Sequence, residues 1–198
     1  MVKLLFLPGA GGSDSFWRPV AGHLQLERPA HFFAWPGLGN EPPGPQVDGV
    51  DDLVAMVLGH MDEPCDLVAQ SMGGLIAIKA ALAMPERVRR LVLTGTSGGV
   101  LVDDLGGSDW RNDYRAEYPR AAPWIMEVRE DLSERIRAIE VPALLLWGDR
   151  DEVSPIAVGE RLAGLFPHAS LKIVEGGGHD FPQTHSAIVA PLIQRHLQ

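Results

Sequence analysis

Short apolar segments that alternate with helical patterns constrain the fold of this chain more than any other feature. Continuous apolar runs of this length are typical of parallel strands that are buried on both faces of a sheet. The predicted strands are Val2–Leu7, His31–Trp35, Cys65–Ala69, Arg90–Thr94, Ala143–Trp147 and Leu171–Val174. Because strand and helix alternate from end to end, the sequence predicts an α/β fold with a mostly parallel six-stranded sheet and helices on both faces.

The helical patterns between the strands differ in how they are buried. Residues 50–61 carry their apolar side chains on one face, whereas residues 72–84 are apolar nearly all round and should be deeply buried. Residues 16–26 and 155–166 form weaker patterns, and Pro191 is expected to kink or restart the helix predicted over 187–197.

Size and charge limit what the chain can do. Its 198 residues suit a single domain over 1–198, and the net charge of −9 without a basic run argues against nucleic acid and anionic membranes as partners. The only cysteine, Cys65, excludes an intrachain disulfide and a Cys-rich zinc site, and it is predicted to be a core residue. The short apolar start does not fit a signal peptide or a membrane span, so a cytoplasmic protein is expected.

Ligands of parallel sheets bind at the carboxyl ends of the strands, where three glycine-rich turns are predicted. The first, over residues 8–14, lacks the third glycine of a dinucleotide fingerprint, since Asp14 stands there, and it lacks the lysine of a phosphate loop. What remains is a turn with free backbone N–H groups, which can stabilise an oxyanion or simply reverse the chain.

The other two turns each offer a serine as a nucleophile. Ser71 ends an apolar strand and begins a long helix, and the small residues Ala69 and Gly73 would allow a sharp bend that exposes its hydroxyl group. Ser97 matches G-x-S-x-G better by its letters, but no clean helical pattern follows it. We therefore predict Ser71 as the nucleophile and Ser97 as a pocket or loop residue.

A serine nucleophile needs a base, and an acid that orients the base. Of the seven histidines, His179 follows the last strand through three glycines and is the favoured base, with His185 as runner-up. The residues leave the choice of acid open. The candidates are Asp151, Asp149, Asp180, Asp103 and Asp104.

Taken together, the motifs resemble those of the α/β-hydrolase superfamily over nearly the whole chain. The matching segments are residues 7–10, 35–39, 69–74, 141–151 and 178–179. The chain order Ser, Asp, His is also that of the superfamily. Two departures are Pro8, where many members have His, and Ala69, where most have Gly.

The resemblance implies a strand order of 2-1-3-4-5-6 and assigns roles to individual residues. Ser71 would be the nucleophile, His179 the base and Asp151 the acid, while the N–H groups of Ala10 and Met72 would bind the oxyanion. It also implies that no metal and no organic cofactor take part.

Residues 98–130, here called the cap segment, interrupt the alternation, and in the family such an insertion covers the nucleophile. Aromatic residues in it suggest an apolar pocket for an acyl or alcohol group. The predicted pocket residues are Trp35, Leu38, Trp110 and Trp124, with Phe16 as a further wall candidate. Three arginines could bind a substrate carboxylate or simply face solvent, namely Arg111, Arg115 and Arg120.

The expected function is that of a serine hydrolase that cleaves a small carboxylic ester or thioester through an acyl-enzyme. Two alternatives stay open. The same triad serves carbon–carbon bond hydrolysis or lactone opening, and a protein with this fold can also bind a ligand without catalysis.

Overall fold

A computed structural model describes all residues from 1 to 198. Its centre is one sheet of six strands that are all parallel, in the order β2-β1-β3-β4-β5-β6. The strands are β1 (Lys3–Leu7), β2 (Ala30–Phe32), β3 (Cys65–Gln70), β4 (Val88–Thr94), β5 (Ala143–Gly148) and β6 (Ala169–Val174). Both the predicted α/β class and the predicted strand order are confirmed.

Helices cover the two faces of the sheet and divide the core into a larger and a smaller part. One face carries α2 (Val50–Leu58), α3 (Met72–Ala83), α5 (Ser133–Ile136) and α6 (Ile156–Leu165). The other face carries α1 (Arg18–Ala21), α7 (Phe181–Thr184) and α8 (Ser186–Leu197). Successive side chains of β1 alternate between the faces, since Leu5 and Leu7 join the larger core whereas Leu4 and Phe6 join the smaller one.

The cap segment lies between β4 and β5. It contains helix α4 (Arg111–Glu117) and a 3₁₀ helix over Pro123–Glu127. No helix of the molecule combines the length and the apolar character that crossing a membrane requires.

The structure departs most clearly from the sequence predictions in β2, α1 and α8. Strand β2 ends at Phe32, because the chain then turns so that the side chain of Trp35 is buried and its indole N–H donates to the Pro8 carbonyl at 2.8 Å. Helix α1 has four residues rather than the eleven predicted. Helix α8 continues through Pro191 without a restart.

Candidate active site

The turn between β3 and α3 places Ser71 in a backbone conformation that L-amino acids rarely adopt. Its φ is 51° and its ψ is −122°, and Ser71 is the only residue other than glycine with a positive φ. A sharp strand-to-helix bend of this kind costs on the order of 1–3 kcal/mol and persists only where the surroundings impose it. The bend lifts the serine hydroxyl out of the sheet at the N-terminus of a buried helix.

Close packing and hydrogen bonds around Ser71 impose this bend. A Cβ atom on Gly73 would lie 2.5 Å from the Pro8 carbonyl oxygen, so only glycine lets α3 start this close to β1. The Ser71 carbonyl accepts hydrogen bonds from the Thr96 hydroxyl at 2.5 Å and from the Gly74 N–H at 2.9 Å. The Ser71 N–H in turn donates to the Thr94 carbonyl at 3.0 Å.

Three predicted residues from distant parts of the chain meet at the carboxyl edge of the sheet. The Nε2 atom of His179 lies 3.1 Å from the Ser71 hydroxyl oxygen. On the other side of the ring, Nδ1 lies 2.9 Å and 3.0 Å from the two carboxylate oxygens of Asp151. The side-chain amide of Gln70 donates to the His179 carbonyl at 3.3 Å. This bond connects β3 to the loop over residues 175–180, here called the histidine loop.

Asp151 is held by the backbone that follows it. Its Oδ1 atom accepts hydrogen bonds from the N–H groups of Val153 at 3.0 Å and Ser154 at 2.8 Å. The side chain is fully shielded from solvent, whereas the His179 side chain stays about one quarter exposed. This geometry fixes one carboxylate face toward the imidazole while leaving the histidine accessible from the cavity.

The alternative acids have other partners. Asp149 accepts the Gly176 N–H at 2.7 Å and thereby braces the histidine loop. Asp103 pairs with Arg129, and Asp104 pairs with Arg161 at 2.7 Å. Asp180 precedes α7 and lines the cavity without bonding the imidazole.

The alternative nucleophile and base lie apart from this chain of hydrogen bonds. Ser97 lines the cavity, and its hydroxyl oxygen accepts only the Gly99 N–H at 3.5 Å. The His185 ring pairs with the Thr184 hydroxyl at 2.8 Å. Of all the candidates, only Ser71, His179 and Asp151 are joined by a continuous chain of hydrogen bonds.

The two predicted oxyanion donors border the same space. Ala10 and Met72 both line the cavity that contains Ser71 and His179. Met72 is the first residue of α3, a position whose N–H has no partner inside the helix. The Ala10 N–H donates to no backbone carbonyl. Both amides are therefore available to a ligand.

The cavity has a volume of about 800 Å³, and the cap segment forms much of its wall. Trp110 and Phe16 line it, as the sequence indicated. The prediction is wrong for Trp35 and Leu38, because both are fully buried beneath the turn over residues 8–14. Trp124 does not line the cavity either and packs against the larger core.

Acidic side chains dominate the charged part of the cavity wall. Three carboxylates there have no cationic side chain within ion-pair distance, and these belong to Asp113, Glu117 and Asp180. Arg111 reaches the wall but is bonded to Asp109 and to the Met126 carbonyl. Arg115 and Arg120 do not line the cavity. No group of three or more potential metal ligands is assembled anywhere in the molecule.

Sequence reasoning missed three residues that hold the site together. The side chains of Thr96, Gln70 and Tyr114 donate hydrogen bonds to backbone carbonyls of proposed site residues. The acceptors are the carbonyls of Ser71, His179 and Ala10, respectively. Glutamine next to the serine was visible in the motif, but the partners of these side chains are 25 to 109 residues away in sequence. No local pattern could have indicated such contacts.

Comparison with known proteins places the chain among hydrolases. A family model described as the alpha/beta hydrolase family matches residues 4–192. The pimeloyl-[acyl-carrier protein] methyl ester esterase of Aliivibrio salmonicida is 24% identical over 98% of this chain and 92% of its own length. A polyketide synthase of Burkholderia thailandensis is 26% identical over 98% of this chain, which spans only 12% of that synthase.

Solved structures agree with these sequence matches at the level of the fold. A meta-cleavage product hydrolase from Pseudomonas fluorescens superposes with a TM-score of 0.80 at 21% identity, covering 100% of this chain and 90% of that one. Since the family model spans most of the sequence and the sheet has the predicted order, the chain belongs to the alpha/beta hydrolase family and is an esterase-like member of it.

Proposed function

We propose that this protein cleaves a small carboxylic ester or thioester through an acyl-enzyme formed on Ser71. The observation that carries the proposal is the continuous line from the Ser71 hydroxyl through the His179 ring to the Asp151 carboxylate, with separations of 3.1 Å and 2.9 Å. A nucleophile within hydrogen-bond distance of a base, itself oriented by a third group, is the arrangement that acyl transfer requires.

In the first half of the reaction, the Ser71 oxygen attacks the substrate carbonyl carbon while its proton passes to Nε2 of His179. Asp151 accepts the Nδ1–H and stabilises the imidazolium that forms. The N–H groups of Ala10 and Met72 stabilise the negative charge on the former carbonyl oxygen. When the carbon–oxygen or carbon–sulfur bond breaks, His179 donates its proton to the departing alcohol or thiol.

In the second half, a water molecule takes the place of the leaving group. His179 removes a proton from this water as it attacks the acyl carbon, and a second tetrahedral intermediate forms in the same oxyanion site. Its collapse returns the proton to Ser71 and releases the carboxylic acid. The partly exposed imidazole is accessible to both the leaving group and the water.

Size and wall chemistry support a small, largely apolar substrate. A volume of about 800 Å³ lies within the range of ~300–1,000 Å³ that small-molecule sites occupy. Aromatic side chains from the cap segment, including Trp110 and Tyr118, offer apolar surface to an acyl or alcohol group. The cap segment is proposed to cover Ser71, and residues 1–198 are proposed to form one domain.

Carbon–carbon bond hydrolysis is the second candidate reaction. It is favoured by the structural likeness to a meta-cleavage product hydrolase over the whole chain. The same residues would act, but the leaving group would be a carbanion that His179 protonates. A panel of esters with acyl chains of graded length separates the two reactions, since ester turnover with kcat sensitive to acyl length supports the first.

Covalent labelling tests the nucleophile directly. A fluorophosphonate should label the wild-type protein at Ser71, and Ser71→Ala should abolish labelling and lower kcat for esters by about 10⁶-fold. Ser97→Ala removes the other hydroxyl at a strand end and should keep the label. Equal labelling of the wild type and Ser71→Ala would contradict the proposal and favour a non-catalytic binding protein.

A further inference from the structure

The loop that carries the Ala10 N–H is a tight turn over residues 9–12. The Gly12 N–H donates to the Gly9 carbonyl at 3.1 Å, which makes Ala10 and Gly11 the two central residues of a four-residue β-turn. This bond also orients the peptide that joins Gly9 to Ala10. The N–H of Ala10 belongs to that peptide and points opposite to its carbonyl.

The central peptide of a β-turn, here the one between Ala10 and Gly11, can take two standard orientations. Type I and type II turns differ by a flip of this central peptide, and type II requires a positive φ at the third residue, where glycine is favoured. Gly11 stands at this third position, yet its φ is not positive, so the turn is of the type I kind. Glycine at this position leaves the flipped form sterically open.

The flip decides which group faces the developing oxyanion. In a type I turn the central residues have helix-like dihedral angles, so the N–H groups of Ala10 and Gly11 lie on one side and the Ala10 carbonyl lies on the other. After a flip, the Ala10 carbonyl oxygen would stand beside the Ala10 N–H. A carbonyl dipole in that place repels negative charge instead of stabilising it.

Tyr114 of the cap segment bonds this central peptide. Its hydroxyl group donates to the Ala10 carbonyl at 2.7 Å and accepts the Gly39 N–H at 2.9 Å. The side chain is only 8% exposed and packs against Trp110 and Tyr118, which flank α4 at its two ends. Burial raises the pKa of Tyr114, with the Gly39 N–H acting in the opposite direction, so the hydroxyl keeps its proton at neutral pH.

We propose that Tyr114 is a positioning residue that holds the Ala10–Gly11 peptide in the orientation needed for oxyanion binding. The inference rests on the proposed function, because it assigns Ala10 as an oxyanion donor. The Tyr114 hydroxyl acts only through its hydrogen bond to the Ala10 carbonyl and contacts no reacting atom. Helix α4 of the cap segment therefore fixes the turn over residues 9–12 and also lines the cavity.

Tyr114→Phe is the first test, because it removes the hydroxyl and keeps the ring contacts. A net hydrogen bond of ordinary strength corresponds to about a 10-fold change in the balance between the two turn forms. Because the wild type holds mainly the type I form, a 10-fold change in this balance lowers the competent fraction by at most about fivefold, so we expect kcat for an ester to fall about two- to fivefold while KM stays nearly unchanged, since the oxyanion exists only after the ground state. The inhibition constant of a trifluoromethyl ketone, which forms a bound oxyanion, should rise about two- to fivefold as well.

Rates are expressed per active site titrated with a fluorophosphonate, so that unfolded protein is not counted. Ile193→Val on the opposite face of the sheet serves as the control, because it removes one buried methyl group at a comparable cost in stability. It should leave kcat and the ketone affinity unchanged. A purely structural role for Tyr114 predicts that Tyr114→Phe behaves like this control, and that result would overturn the inference.

Gly11→Ala in the Tyr114→Phe background provides a rescue test. Alanine disfavours a positive φ and hence the flipped form, and its Cβ would meet no atom closer than 3.7 Å, the Tyr118 hydroxyl oxygen. The double variant should recover most of the lost kcat and ketone affinity. A double variant no better than Tyr114→Phe refutes the peptide flip. Ser71→Ala that stays active would instead refute the proposed function itself, so the two failures are distinguishable.

Discussion

Replacing Asp151 by asparagine tests the chain of hydrogen bonds from Ser71 to Asp151, because the contacts of the two carboxylate oxygens determine the orientation of the new amide group. Oδ1 of Asp151 accepts two backbone N–H groups, from Val153 and Ser154. Only the oxygen of an asparagine amide can take that place, so its NH₂ group must occupy the position of Oδ2, which lies 2.9 Å from Nδ1 of His179. The amide oxygen in the place of Oδ1 also lies 3.0 Å from Nδ1, but it already accepts two backbone N–H groups, so the NH₂ group favours the tautomer in which Nδ1 accepts a hydrogen bond and Nε2 carries the proton.

A histidine protonated at Nε2 donates to the Ser71 hydroxyl and cannot remove its proton. An Asp-to-Asn change that enforces the wrong tautomer lowers kcat by about 10⁴-fold in a serine triad, which corresponds to about 5 kcal/mol in the activation barrier. Both backbone hydrogen bonds to the side-chain oxygen persist in the variant. Stability should therefore change little, and the loss should be confined to kcat.

Hydrolysis of p-nitrophenyl butyrate at pH 7.5, together with thermal unfolding, provides the assay. Asp149→Asn is the matched control, because it makes the same chemical change two residues away and its amide oxygen can still accept the Gly176 N–H. We expect its kcat to remain within threefold of the wild type. An Asp151→Asn variant that retains more than a tenth of wild-type kcat would refute the tautomer argument, as would an equal loss in Asp149→Asn.

Two further predictions concern charge. The unpaired carboxylates of the cavity wall should make kcat/KM for monomethyl succinate about 10-fold lower than for methyl butyrate, and both Glu117→Gln and added salt should narrow the gap. Burial, with help from the charge of Arg90, lowers the pKa of His196, against the opposing effect of Asp66. Above pH ~6.5 this histidine is neutral in both states, but as the pH falls only the unfolded chain gains the proton, so the free energy of unfolding decreases. When urea unfolding is measured from pH 7.5 to 5, the free energy of unfolding should decrease less for His196→Gln than for the wild type. An equal decrease in the two proteins would contradict this assignment.

Much of the sheet was predictable, because strands buried on both faces must be apolar throughout. Strand β3 is buried at every position and was visible in the sequence almost to the residue. Strand β2 was misplaced because Phe33 and Trp35 are apolar for another reason. Trp35 packs beneath the turn over residues 8–14 and Phe33 stacks on Trp35, and a run of apolar residues in the sequence does not distinguish a strand from a buried loop.

The cavity illustrates a different limit of sequence reasoning. Trp35 and Trp110 look equally suitable as pocket walls in the sequence, yet the first is fully buried and the second lines the cavity. Similarly, Asp149 and Asp151 follow the same strand two residues apart, yet the turn after β5 directs one toward Gly176 and the other toward His179. The side on which a loop residue emerges depends on backbone contacts that no periodicity encodes.

The parallel sheet explains why residues distant in sequence lie together here. All six strands end at the same edge, so the turns after β1, β3, β5 and β6 bring Ala10, Ser71, Asp151 and His179 to one place without any long-range signal in the sequence. In the turn after β1, the hydroxyl group of Tyr114 from the cap segment donates to the carbonyl of the central peptide. On the proposed role of Tyr114, substitutions in α4 should therefore alter kcat even where they touch no substrate atom.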